Sequence, residues 1–244
     1  MCGSAVLVHS DFERTTNYIL AAPLVAHVFY HVFTTADPRS VDIVRQQLAL
    51  LTSVRPYLRS VTCCVSGNHM PHYEQSLQLL LGAAATDLPI TVAKAVFNDT
   101  TYERLTLHTL ATSQIDPDAA YLYMHTKGCT KIGSEFECVQ DWRRCIEYFL
   151  VERIASCLEV LQTKQFDMVG IMYLLKPRPH FSGNLWWASG AYLRKLIAEQ
   201  PVIGPAYFDT EMWAAGAGAR CHSFFPITRA HYHQRMFRHE YAMD

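Results

Sequence analysis

Apolar and polar positions along the chain fall into alternating blocks of two kinds. Residues 25–34 form an apolar, β-branched and aromatic run interrupted only by His27 and His31, which predicts a buried strand. Turn chemistry follows at Asp37, Pro38 and Arg39. Ser40 is then the expected N-cap of a helix whose apolar positions Val41, Val44, Leu48 and Leu51 recur at helical spacing. Residues 60–65 predict a second strand, stopped by Ser66, Gly67 and Asn68, with a helix over 73–84 and a third strand over 90–97. Residues 101–115 should be helical, a break falls at Asp116, Pro117 and Asp118, and 119–124 reads as a strand. Trp142, Ile146, Phe149, Ile154, Leu158 and Leu161 mark one long amphipathic helix, followed by a strand over 167–173 and a loop at Pro177 and Pro179. Strands alternating with helices in this way predict a mainly parallel α/β sheet covered on both faces. Ligands of such sheets bind in the crevice beyond the carboxyl ends of the strands.

The chain has 244 residues, of which 21 are Lys or Arg and 22 Asp or Glu, giving a net charge of −1. Half the residues are hydrophobic and 18% charged, which excludes a disordered chain. The neutral balance argues against nucleic acid as a partner, because that interaction rests on many cationic phosphate contacts. The eight cysteines, at 2, 63, 64, 129, 138, 145, 157 and 221, form no CxxC and no zinc framework. They read as reduced thiols, which with the absence of a leader-like N-terminus or a transmembrane run predicts a soluble, cytoplasmic protein. Residues 1–24 are poorly patterned. No repeat or linker interrupts the rest, so 1–244 is expected to be a single domain.

The candidate chemistry sits where strands are predicted to end. His125, Thr126, Lys127 and Gly128 follow the strand over 119–124. Together they offer a positive charge, hydrogen-bond donors and a glycine that lets backbone approach an anion, although a solvated strand-end loop would look the same. Asp141 is expected to cap the long helix, leaving Arg143 or Arg144 to face an anionic ligand. In the stretch His180, Phe181, Ser182, Gly183, Asn184, Leu185, Trp186, Trp187, two adjacent tryptophans cannot easily share one apolar face. At least one is therefore expected in a cleft suited to sugar rings, with His180, Ser182 and Asn184 beside it. Asp209 and Glu211, next to Trp213, are candidate general bases, Asp209 fitting a helix N-terminus better. His231 and His233 could hold a metal or clamp a diphosphate, or belong to a surface tail. GxSxG is absent and no GxGxxG follows the first strand, which ranks a hydrolase or a dinucleotide oxidoreductase low.

In order, these pieces are a Tyr-His strand, Glu103 to Leu107, Tyr121 to Gly128, Asp141 to Arg143, Asp167 to Gly170, His180 to Ala188, and Glu211 to Trp213. That set resembles the glycosyltransferase-like proteins of algal and giant viruses and microbes and is more distantly similar to the rhamnan-synthesis F proteins. The resemblance spans roughly residues 25 to 235. It implies a GT-A fold with a nucleotide-binding half over 25–128 and an acceptor half and tail over 129–244. It further implies a UDP- or dTDP-sugar donor and a glycan or glycoconjugate acceptor. Family members of this fold place a metal-binding DxD after a strand like 119–124; here His125, Thr126 and Lys127 stand in that place. The resemblance therefore leaves Mn or Mg open, with Lys127 balancing the diphosphate, or with a metal on Asp99, Glu103 or a C-terminal histidine. Donor contacts are implied for Glu103, His125, Thr126, Lys127, Gly128 and Arg143. Sugar or acceptor contacts are implied for His180, Ser182, Gly183, Asn184, Trp186, Trp187 and Trp213. Glu211, with Asp209 beside it, is implied as the base of an inverting transfer. The competing reading is a catalytically silent binding module on the same fold.

Overall fold

A computed structural model describes residues 24–86, 88–98, 102–206, 208–226 and 230–242. The predicted alternation is present. Strand β1 (Ala26–Thr34) leads to helix α1 (Arg39–Ser53), β2 (Leu58–Gly67), α2 (Met70–Thr86), β3 (Ile90–Phe97), α3 (Arg104–Ala111) and β4 (Ala120–His125). The second half holds α4 (Gly133–Glu147), α5 (Ile154–Gln162), β5 (Met168–Gly170), β6 (Tyr173–Leu174), β7 (His180–Phe181) and β8 (Trp186–Ser189). It closes with α6 (Gly190–Glu199), α7 (Asp209–Trp213) and β9 (Cys221–Ser223). The central sheet has the order β3-β2-β1-β4-β8-β5-β9, and β6 pairs with β7 apart from it. All central pairings are parallel except those of β8, which runs antiparallel to both β4 and β5.

Side chains alternate across this sheet and build a core on each face. On one face Val28, Tyr30 and Val32 of β1 pack with Val44, Leu48 and Leu51 of α1, Leu80 of α2, and α4 and α5. On the other, Phe29, Tyr121 and Tyr123 pack with Leu107 and Leu110 of α3, Leu193 and Leu196 of α6, and Trp213 of α7. The strand order reverses at β1: β2 and β3 extend to one side, β4 to the other. A crevice therefore opens between the carboxyl ends of β1 and β4.

Several local expectations are corrected. Ser40 is not an N-cap. It lies inside α1, fully buried, with Oγ donating to the Asp37 carbonyl at 2.7 Å, while Asp37 Oδ1 accepts the Arg39 N–H at 3.0 Å. Helix α3 is shorter than expected, because the hydroxyls of Thr112 and Ser113 take the carbonyls of His108 and Thr109. The single long helix is two, separated by a π-turn at Tyr148–Glu152. The turn leaves the Leu150 carbonyl to accept the Trp187 indole N–H at 2.7 Å. Asp141 lies mid-helix rather than at a cap. Its carboxylate holds Arg235 and the Met236 N–H, fastening the C-terminal segment onto α4.

The tryptophan pair is also resolved differently. Trp186 and Trp187 are 1% and 0% exposed. They are successive residues of a strand, so they point to opposite faces, and both faces are covered. Neither lines a cleft. No described helix is long and apolar enough to cross a membrane.

Candidate functional site

A cavity of about 410 Å³ occupies the crevice at the carboxyl ends of β1 and β4. Its floor is set by the register of those two strands, which pairs His31 with His125 side by side. Thr126 stitches the two strand ends together, its Oγ accepting the Phe33 N–H at 2.9 Å and donating to the Phe33 carbonyl at 3.0 Å. That hydroxyl is a structural fastener, although the residue borders the cavity. Gly128 follows with a φ of +83°, and a Cβ there would lie 2.7 Å from Val139 Cγ1. Only glycine suits this turn.

The antiparallel direction of β8 brings the loop before it to the same edge of the sheet, and this loop organises the acids. Gly183, at φ +98°, donates its N–H to Glu211 Oε1 at 2.8 Å, and its carbonyl accepts from His125 Nε2 at 2.9 Å. A Cβ on Gly183 would come within 2.9 Å of Ile146, 3.0 Å of Lys127 and 3.1 Å of Trp142. Asn184 Oδ1 accepts the Trp186 indole N–H at 3.0 Å, which fixes the amide so that Nδ2 donates to Glu103 Oε2. The same oxygen accepts from Tyr123 Oη at 3.3 Å.

These contacts dictate a protonation pattern. A carbonyl only accepts, so His125 Nε2 carries a hydrogen, and its Nδ1 faces Glu103 Oε1 at 3.4 Å. Burial, reinforced by the Lys127 charge, pushes the His125 pKa down to about 3. Burial pushes that of Glu103 up, against the pull of His31, Asn184 and Lys127. Both shifts disfavour charge on this buried pair, and His125 is held as the neutral ring. Lys127 Nζ sits 4.0 Å from the centre of the Trp142 ring. Burial lowers its pKa, while Glu211 and Glu103 act to raise it.

Of the expected site residues, the structure brings Glu103, His125, Thr126, Lys127, Gly128, Gly183, Asn184 and Glu211 to one cavity. Others lie elsewhere. Arg143 is 0% exposed and holds Gln46, Gln140 and both oxygens of Glu147, so it cannot reach a ligand. Asp209 takes the role of a helix start, bound to Arg178 and the Ala206 N–H. His180 Nδ1 contacts the Arg178 carbonyl, and buried Ser182 uses its N–H on the Met172 carbonyl. Trp213 is buried and donates to the Gln200 carbonyl. His231 lies against Trp142, ring centres 3.7 Å apart, while His233 is exposed.

The cavity also includes His31, Asn68, Tyr102, Lys131, Phe208, Thr210 and Tyr232, which were not expected. His31 had a readable signal: with His27 it interrupts an otherwise apolar, aromatic strand. The rest come from loops, from the start of α7 or from a tail whose path follows only from the fold.

A divalent cation needs several hard oxygen ligands. Glu103 Oε2 is already occupied twice, an ammonium shares the cavity, and no group of three or more His, Cys, Asp or Glu suited to a metal exists among the described residues. Asp99 lies outside the described residues.

Fold and site together define a switch-point α/β protein with an acid, a neighbouring Glu-His pair and a lysine facing one crevice. The chain belongs to the family described as "Domain of unknown function (DUF8361)", whose model matches residues 29–241. Among solved structures it is similar to 4-diphosphocytidyl-2C-methyl-D-erythritol synthase from Anaerococcus prevotii DSM 20548. The identity is 9% and the TM-score 0.42, over 88% of this chain and 90% of that one. No curated protein matches by sequence.

Proposed function

We propose that this chain is a GT-A-type glycosyltransferase that moves a sugar from a UDP- or dTDP-sugar to a hydroxyl of a glycan or glycoconjugate, in the cytoplasm. The observation that carries this reading is the placement of the Glu211 carboxylate and the Lys127 ammonium in one cavity at the switch point, the carboxylate aimed by the Gly183 N–H. The sequence resemblance supplies the choice of sugar transfer over other chemistry at such a crevice.

In this mechanism Glu211 accepts the proton of the acceptor hydroxyl as its oxygen bonds to the anomeric carbon. The bond from that carbon to the diphosphate breaks, and the electron pair leaves with the diphosphate. Lys127 stands where that negative charge grows, so its stabilisation is strongest in the transition state. The Glu103–His125 pair holds the Gly183 turn, and through it Glu211, in place.

The test is turnover of a panel of UDP- and dTDP-sugars with product analysis. Glu211→Gln should abolish transfer and leave donor binding nearly intact, while Lys127→Met should weaken both. Donor binding without turnover in the unmodified protein would instead identify a binding module, and loss of donor binding in Glu211→Gln would remove the base assignment.

A further inference from the structure

With Trp186, Trp187 and Trp213 all in the core, the aromatic surface of the cavity comes from other residues. Tyr102, Phe208 and Tyr232 line it and are 52%, 59% and 39% exposed. They stand on two different lips. Tyr232 belongs to the α4 side, where its ring meets Trp142 at 5.2 Å and Lys131 Nζ at 5.2 Å. Tyr102 and Phe208 belong to the α3 and α7 side, joined there by Arg104, whose guanidinium donates to the Ala206 carbonyl at 3.2 Å.

The lips also differ in charge. Lys131 stands beside Tyr232 and Lys127 against Trp142, while Glu211 lies three residues after Phe208. A diphosphate is drawn to the lysine lip, which leaves the carboxylate lip to a neutral, hydroxyl-rich molecule. Phe208 caps α7, and Glu211 lies three residues on. The Met212 N–H closes the turn onto the Phe208 carbonyl at 3.0 Å, so the ring and the carboxylate share one side of that turn. An apolar face one helical turn from a hydrogen-bond acceptor matches the C–H face and rim hydroxyls of a pyranose.

We propose that Phe208, with Tyr102, is the acceptor platform, and that the acceptor is a pyranose ring stacked on this lip with one hydroxyl directed at Glu211. This rests on the transferase reading above.

The experiment is saturation-transfer NMR on the full chain with a panel of methyl pyranosides, with UDP and dTDP affinity measured separately. Transfer should be strongest to the ring C–H protons of at least one glycoside. Its affinity should fall about tenfold in Phe208→Ala, the scale of one lost aromatic contact, and survive in Phe208→Trp. The side chain is exposed, so an unchanged melting temperature will confirm that the variant is folded. Nucleotide binding with no saturation transfer to any glycoside overturns the platform and leaves the transferase reading standing. A loss of nucleotide rather than glycoside affinity in Phe208→Ala overturns it too, by assigning the lip to the base. If neither ligand class binds, both readings fall.

Discussion

Replacing Arg143 tests whether a cation in this region serves the ligand or the fold. The guanidinium is wholly buried and places hydrogen bonds on Gln46, Gln140 and both oxygens of Glu147, itself 5% exposed. In Arg143→Met, Glu147 keeps the Gln47 amide, at 2.7 Å, but loses its counter-ion inside the core. Breaking a buried pair from one side costs about 3–5 kcal/mol, whereas replacing both partners with apolar groups is often close to neutral. For a chain of this size, at about 2–4 °C per kcal/mol, the single variant should melt about 6–20 °C lower. The double variant Arg143→Met, Glu147→Leu should recover at least about 2 kcal/mol of that loss. Denaturant unfolding of wild type, both singles and the double closes the cycle, with nucleotide affinity read in parallel. A single variant within about 1 kcal/mol of wild type, or one of full stability that no longer binds nucleotide, would refute the reasoning and return Arg143 to the ligand.

Three other outcomes follow from the site. Glu103→Gln should stay within about 1 kcal/mol of wild type in urea unfolding, because the isosteric amide oxygen still accepts from Asn184 and Tyr123; a larger loss would show that the carboxylate charge itself holds this corner of the site. His125 titrates near 3 when folded against 6.5 unfolded, so the unfolded chain binds the extra proton between those values and stability falls on acidification through that window. The slope from this group approaches about 1.4 kcal/mol per pH unit, and His125→Gln should flatten the measured profile by that amount; an unchanged profile contradicts the assignment. Gly183→Ala combines a strained φ with overpacking against Ile146 and Trp142 and should cost about 2–4 kcal/mol in thermal unfolding, so a wild-type melt would mean the turn relaxes freely.

Much of this architecture is readable from periodicity. The apolar runs at 25–34 and 119–124 announce the two strands that bracket the site, and the helices between strands announce the parallel sheet. The place of the segment over 125–128 was legible because it follows a predicted strand, although the tetrapeptide alone fits a solvated loop equally well. Glu211 was legible beside Asp209 because only one of two acids in a first helical turn is needed at the start of the helix. What failed was direction. Trp186 and Trp187 looked like cleft residues because adjacency was judged as if one face were wet, and no local signal says that a strand is covered twice. Arg143 and Asp141 looked like a ligand-facing helix start because the helix in fact begins earlier, at Gly133; Arg143 is taken up by Gln140 and Glu147 of the same helix and by distant Gln46, and Asp141 by distant Arg235. Tyr102, Phe208 and Tyr232 come to line one cavity only through tertiary folding, which spacing along the chain does not encode.

The reversed strand β8 has a consequence for how this site can vary. Because β8 enters the sheet from the cavity edge, the groups that orient His125 and Glu211 are main-chain ones, the Gly183 carbonyl and N–H. Only proline would remove that main-chain N–H, and its fixed negative φ does not suit the +98° at Gly183. Residues at 103, 125 and 211 can therefore be exchanged while the scaffold that aims them persists, and a lineage of such proteins could shift its substrate or fall silent without losing the outline of the pocket. Similar pockets across this family would then be weak evidence of similar chemistry, and the side chains at those three positions the place to look for it.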